Sequence, residues 1–342
     1  MRNHEITEVQ PLLNLDGTLR EPGWSKQLYQ QYDRADIKAS KLRIKEWDYY
    51  CIISHKNNIA VALTVSDLGY IEMDSVSFLD FSVPMEHTQP VILPFPMGRM
   101  NMPASSATGD VKVRNGKMGI DFIVKNNKRY IRCDYPSFDG GRGLKINLVL
   151  DNRFTDDSMV IATPWAEDEK AFYYNQKINC MAASGKVEYD GRIYNFSPDT
   201  DFGVLDWGRG VWTYDNVWYW GSGSGIVDGH RFGFNIGYGF GDNSAATENM
   251  VFYDGKAHKL DDVTFNIGET FTDKWTFTSS DGRFETEFVP VIDRSDYTSA
   301  AVIITDQHQV FGKMTGRVIL DDGTVVELKD FLCFAEKVHN RY

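Results

Sequence analysis

The sequence predicts an all-β protein. Three observations carry the prediction. Hairpin dipeptides recur along the chain, β-branched and aromatic runs lie between them, and one stretch of the second half alternates large aromatics with glycine. Asn115-Gly116, Asp190-Gly191, Asp228-Gly229, Asp254-Gly255, Asp281-Gly282 and Asp322-Gly323 each read as type I′ turns, because both central positions tolerate φ > 0. The runs between them include residues 192–196, 275–278, 284–288 and 317–320. In places they lie about 8–12 residues apart, the spacing of sandwiches and barrels. Residues 24–37 are the one stretch with helical spacing, Trp24, Leu28 and Tyr32 falling at i, i+4 and i+8 with Ser25 as a cap. The same residues also read as a loop.

Composition bounds the function. The 342 residues carry 36 Lys+Arg against 48 Asp+Glu, a net charge of −12, with 42% hydrophobic and 25% charged residues. That is an ordinary globular balance. Its acidity argues against a nucleic acid or an anionic membrane as partner, since each phosphate contact needs a cation. No apolar run reaches the ~18 residues of a membrane-spanning helix. The opening Met1-Arg2-Asn3-His4-Glu5 has no apolar stretch after its basic residue, so no secretory signal is expected. Cys51, Cys133, Cys180 and Cys333 are scattered, without C-x-x-C spacing, and read as reduced structural thiols of a cytoplasmic protein. The seven histidines form neither H-x-H nor H-E-x-x-H, so no metal site is specified. The glycine-rich residues 220–225 match neither a phosphate loop nor a dinucleotide motif, and no G-x-S-x-G elbow occurs. No cofactor is expected. The length suits two domains or one large β domain. The turn-rich residues 195–203 mark the expected boundary, giving units 1–200 and 201–342.

The tryptophan-rich hairpin can be registered by hand. With Asp228-Gly229 as a two-residue loop, Val227 pairs with His230, Gly225 with Phe232, Gly223 with Phe234, Gly221 with Ile236 and Tyr219 with Tyr238. Ser224 then meets Gly233, Ser222 meets Asn235, Trp220 meets Gly237 and Trp218 meets Gly239. Aromatics laid over cross-strand glycines pack well and allow the sharp coiling that barrel closure needs. One face, with Tyr219, Phe232, Phe234, Ile236 and Tyr238, reads as core. The other, with Trp218, Trp220, Ser222 and Asn235, mixes indole with hydroxyl and amide. It reads equally as the lining of a ligand cavity or as a domain interface.

Carboxylates flank this hairpin. Asp206-Trp207-Gly208-Arg209-Gly210 precedes it. Downstream, Ala246, Glu248, Met250 and Phe252 share one strand face, so Glu248 points inward with apolar neighbours. A buried carboxyl needs a partner, for which Arg209 is the candidate, or else its pKa rises and it becomes a proton donor near neutrality. Asp206 would take the complementary role. The same cluster also reads as a purely structural tie.

Several motifs together resemble the family called domain of unknown function 2804. They are residues 43–50, 66–70, 205–212 around Asp-Trp-Gly-Arg-Gly, 246–249, and the tail segments 312–316 and 334–341. A wider likeness is to the carotenoid hydratase and AttH-like group. It is carried by Phe172-Tyr173-Tyr174-Asn175, then Gly185-Lys186-Val187 and Asp190-Gly191-Arg192, then Asp206-Trp207-Gly208. This resemblance implies two lipocalin-like antiparallel β-barrels packed together, in a group that includes hydratases, pericyclic cyclases and lipid-handling proteins. The chain departs from the hydratase pattern in having no histidine beside its Asp-Trp-Gly block.

The resulting expectation is a cofactor-independent enzyme doing acid–base chemistry, as a hydratase, cyclase or hydrolase, on a small and partly apolar substrate. Asp206 and Glu248 are the candidate catalytic residues. Trp207, Arg209, Trp218, Trp220, Asn235, Tyr238 and Asn249 are the candidate substrate-binding residues. The expected partner is a small molecule of lipid, isoprenoid or sugar-like character, with no nucleic acid and no membrane span. The rival expectations are a lipid or small-molecule carrier without chemistry and a carbohydrate-binding protein.

Overall fold

The computed structural model describes residues 2–152, 156–300 and 303–341. Two large antiparallel sheets dominate it. In the first, strands run in the order Met85–Pro94, Ile71–Asp80, Ile59–Asp67, Ile44–Ser54, Asp201–Val211, Asp168–Tyr189, Leu144–Asp151, Lys128–Tyr135, Gly119–Lys125, Val111–Arg114. In the second, the order is Lys256–Lys259, Met250–Tyr253, His230–Tyr238, Asp215–Val227, Val325–Arg341, Ile303–Ile319, Phe284–Ala300, Trp275–Ser279, Val263–Asn266. The strand Asp201–Val211 begins within residues 195–203 and lies in the middle of the first sheet, and the second sheet starts at Asp215. Among the described residues no helix is long and apolar enough to cross a membrane.

Alternation along each strand explains how one strand serves two cores. From Ile44–Ser54, Ile44, Tyr50 and Ile52 enter a core enclosed by the first sheet. Trp47, Tyr49, Cys51 and Ile53 face the other way and meet Trp212, Trp220 and Phe334. From Val325–Arg341, Val326, Leu328, Phe331, Cys333 and Ala335 enter the core of the second sheet, and Leu332 and Phe334 face the first. Each sheet thus curls round its own apolar interior, and a third apolar layer glues the two together. Phe232, Phe234, Phe277, Phe284 and Phe288 are wholly buried in the second core, each contributing about 1.5–3 kcal/mol of transfer free energy.

The tryptophan hairpin has the expected register from Val227↔His230 to Tyr219↔Tyr238. Asp228 and Gly229 both take positive φ, 50° and 86°. Asp190-Gly191 and Asp254-Gly255 behave alike. Asn115-Gly116, Asp281-Gly282 and Asp322-Gly323 do not form two-residue turns. There only the glycine has positive φ, because the loops are longer and the side chain caps them instead. Asn115 Oδ1 accepts from Met118 N at 3.0 Å, Asp281 Oδ1 from Arg283 N at 3.1 Å, and Asp322 Oδ1 from Thr324 N at 2.9 Å.

Residues 24–37 form no α-helix. Gly23–Ser25 pairs with Met159–Trp165, Gln30–Gln31 with Gln10–Pro11, and Arg34–Asp36 is a single 3-10 turn. Ser25 Oγ donates to Gln27 O at 2.7 Å rather than capping a helix. Strand pairing buries Trp24, 6% exposed, and satisfies its backbone, which a short isolated helix does not match.

Candidate functional site

Two rows of cross-strand neighbours face each other between the sheets. On the first sheet, Lys177, Asp206, Tyr49 and Thr64 stand opposite one another on successive strands. On the second, Trp220, Glu336, Gln309 and Arg294 do the same. Directly paired residues share a face, so each row presents its side chains together. Arg294 reaches this face because of a register shift between Pro290 and Ile292. Before the shift Phe288 lies in the second core, and after it Ile292 lies in the inter-sheet layer. Tyr49 joins the rows by donating to Gln309 Oε1 at 3.1 Å. All eight residues line one cavity of about 150 Å3. Its inner end is buried, with the Lys177 and Asp206 side chains 3% and 11% exposed. Thr64, Arg294 and Gln307 at the outer end are half-buried.

The inner end carries the charge. Asp206 Oδ2 lies 2.8 Å from Lys177 Nζ, and Oδ1 accepts from Asn175 Nδ2 at 2.6 Å. Lys177 Nζ also sits 4.0 Å from the centroid of the Trp220 ring. Glu248 is 2% exposed and forms no ion pair among the described residues. Burial raises its pKa, with Lys177 opposing and Asp206 adding to the rise. Gly237 makes room for it, since a Cβ there would lie 3.1 Å from Glu248 Cδ and Oε1. Glu336 accepts from Trp218 Nε1 at 3.0 Å and from Gln309 Nε2 at 2.8 Å, and burial raises its pKa too.

Aromatic side chains form the walls. Tyr173 is stacked between Trp47 and Phe240, with centroid distances of 6.1 and 4.4 Å. Trp212 and Trp218 close the same wall. The Tyr173 hydroxyl is buried and meets no hydrogen-bond partner among the described residues. Burial, followed by the charges of Glu248, Asp206 and Glu336, lifts its pKa far above the phenolic range, so it is a neutral donor.

Of the residues singled out in the sequence, Asp206, Glu248, Trp218 and Trp220 line this cavity together. Asn235 stands behind it. It accepts from Trp220 Nε1 at 2.7 Å and donates to Glu248 O at 2.8 Å, so it orients both. Asn249 braces the backbone, accepting from Gly237 N at 2.7 Å and donating to Asp261 O at 2.8 Å. Trp207, Arg209 and Tyr238 face elsewhere. Trp207 is wholly buried in the first core. Arg209 lies over its ring at 4.3 Å and pairs with Asp48 Oδ1 at 3.0 Å. Tyr238 stacks on Tyr219 beside the second core. The expected Asp206–Arg209–Glu248 cluster therefore does not form. Residues 206 and 209 are out of phase on one strand, so their side chains leave by opposite faces. The cation beside Asp206 is Lys177.

Sequence reasoning passed over Lys177, Glu336, Tyr173, Trp47 and Arg294. Three of them, Tyr173, Lys177 and Glu336, carried a readable signal. In residues 172–178 Tyr173, Asn175 and Lys177 alternate with Phe172, Tyr174 and Ile178, the mark of a strand with one polar inner face. Glu336 shares a face with Phe334 and Val338, the pattern that flagged Glu248.

Two curled antiparallel sheets enclosing separate cores, with a lined gap between them, define a two-barrel protein of lipocalin-like type. An AttH candidate from Nitrosomonas europaea has this fold, with a TM-score of 0.53 and 12% identity over 90% of this chain and 95% of that one. CghA has it too, with a TM-score of 0.51 and 11% identity over 99% and 97%. Kievitone hydratase from Nectria haematococca superposes with a TM-score of 0.44 and 10% identity over 87% and 88%. The chain itself belongs to the family defined by domain of unknown function DUF2804, which matches residues 3–342. No curated protein matches the sequence.

Proposed function

We propose that the inter-sheet cavity is the active site of an enzyme that performs acid–base chemistry on a small, partly apolar molecule, as a hydratase, cyclase or hydrolase. The observation that carries this reading is the contrast between two carboxyl groups in one cavity. Asp206 is held by Lys177 and Asn175. Glu248 forms no ion pair among the described residues, and burial favours its protonated form against the opposing charges of Lys177 and Lys259. Environments that treat two carboxyls differently are the signature of an acid and a base working together. Glu248 donates its proton to an alkene carbon or an ether oxygen of the substrate. The positive charge that develops lies against the indole faces of Trp212 and Trp218, an attraction worth about 0.5–2 kcal/mol. Asp206 accepts the proton released by attacking water or by the adjacent carbon. The positioned acid supplies most of the acceleration, about 10²–10⁴-fold.

The test starts from the molecule that co-purifies with the full chain, identified by mass spectrometry. Its affinity is read by quenching of the cavity tryptophans, and its conversion by mass spectrometry of the product. Glu248→Gln should lower turnover at least 100-fold with the dissociation constant within about threefold of wild type. A wild-type protein that binds the molecule but never converts it would support a carrier instead. A Glu248→Gln variant that turns over normally would remove the proposed acid.

A further inference from the structure

A second cavity lies on the other side of the strand that carries Lys177. Gln176 and Lys177 are adjacent and point to opposite faces. Lys177 lines the inter-sheet site, and Gln176 lines a space of about 430 Å3 inside the first barrel. This space reaches the surface beside Gln27 and Ala107, both exposed.

Arg129 stands on its wall, only 4% exposed. Its Nη1 donates to Ser106 O at 2.7 Å, and its Nε meets no acceptor among the described residues. Among the described residues no carboxylate pairs with it. Asp48, inside the same barrel, is bound to Arg209 at 3.0 Å, and Glu46 there is held by Arg34 and Tyr32. Asp156, on the cavity wall, is held by both terminal nitrogens of Arg231 at 2.6 and 3.1 Å. A guanidinium stays charged whatever surrounds it, and an uncompensated buried charge is costly. Asp48 lies near two buried guanidiniums, Arg209, with which it pairs, and Arg129, with which it does not. The remaining wall is partly apolar, with Leu28, Val124 and Ile178, and the serines 105 and 106 lie beside the cation.

We propose that this cavity binds a small organic carboxylate. The oxyanion accepts from the guanidinium of Arg129, whose planar fork suits a carboxylate, and the hydrocarbon body lies along Leu28, Val124 and Ile178. The site is separate from the inter-sheet cavity and does not depend on the chemistry proposed there.

Calorimetric titration of the full chain with octanoate tests this, with octanol as the neutral molecule of the same chain length. Octanoate should bind saturably and octanol at least tenfold more weakly. Arg129→Gln should weaken octanoate at least tenfold, as expected for loss of a charge-assisted hydrogen bond. Leu28→Trp keeps the cation but fills the apolar half, and should also weaken octanoate. It carries the test alone if Arg129→Gln does not fold, as judged by circular dichroism. Glu248→Gln, in the other cavity, should leave octanoate affinity unchanged. Wild-type affinity in Arg129→Gln or in Leu28→Trp, octanol binding as tightly as octanoate, or no binding of octanoate to the wild type would each overturn the proposal.

Discussion

Replacing Lys177 by methionine probes the energetics of the inter-sheet site most directly. The side chain is 3% exposed, its ammonium lies 2.8 Å from Asp206, and it covers the Trp220 ring at 4.0 Å. Methionine keeps the length and apolar contacts but removes the charge. Asp206 is then left in a buried gap with Asn175 as its remaining donor and Glu248 nearby. Breaking a buried pair from one side costs about 3–5 kcal/mol, because the other charge stays without compensation. Unfolding entropy of about 2.1 cal/mol/K per residue gives about 0.7 kcal/mol/K for the 342 residues. Lys177→Met should therefore lower the melting temperature by about 4–7 °C at pH 7. Adding Asp206→Asn removes the stranded charge and should recover more than half of that loss. Thermal unfolding followed by circular dichroism reads both variants. A single variant melting within about 1 °C of wild type, or a double variant whose loss equals the sum of the two singles, would refute a tightly coupled buried pair.

Three further outcomes follow from the same geometry. Glu248 has a raised pKa in the folded state, so its favourable contribution is complete below the unfolded value near 4.5 and is lost as pH rises toward the folded value. Glu248→Gln should thus melt progressively higher than wild type as pH increases above about 4.5, with a limiting gain of about 2 °C per pH unit; a gap that does not widen with pH would contradict a buried, proton-binding Glu248. Gly208→Ala places a Cβ 1.9 Å from Trp47 Cζ2, so Trp47 must leave its stack on Tyr173, with a loss of about 1–3 kcal/mol and a changed tryptophan emission spectrum. A variant with wild-type stability and spectrum would show that the strand yields there. Burial holds the thiols of Cys51, Cys133 and Cys180 up at about 12 and raises that of Cys333 as well. A thiol reagent at pH 8 should label none of the four cysteines in the native protein and all four after denaturation.

Local order was readable from the chain where a turn and an alternating pattern agreed. The Asp228-Gly229 turn sets which residues pair in the tryptophan hairpin, and Ser222 and Asn235 fall together on one face as a result. That face meets the first sheet at one end and lines the inter-sheet cavity at the other. Asn179, from the first sheet, donates to Ser222 Oγ at 2.9 Å, which makes one end an interface, and Trp218 and Trp220 line the cavity at the other end. The burial of Glu248 was readable because its neighbours at ±2 are apolar, although it precedes the strand Met250–Tyr253 rather than lying on it. Arg209 was misplaced because nearness along the chain was read as nearness of side chains, although strand alternation sends residue 209 to the opposite face from residue 206.

The amino-acid pattern alone settled the β class, the hairpin register and the inward direction of Glu248, because each depends on forces between residues a few positions apart. Which strands lie side by side was settled by packing over the whole molecule. Only that packing brings Lys177 opposite Asp206, Trp220 opposite Glu336, and the two rows face to face. The same is true of the register shift that turns Arg294 out of the second core and into the cavity. Many strands here share one alternating pattern, so local preference does not choose among possible neighbours. The choice falls to the burial of three apolar layers at once.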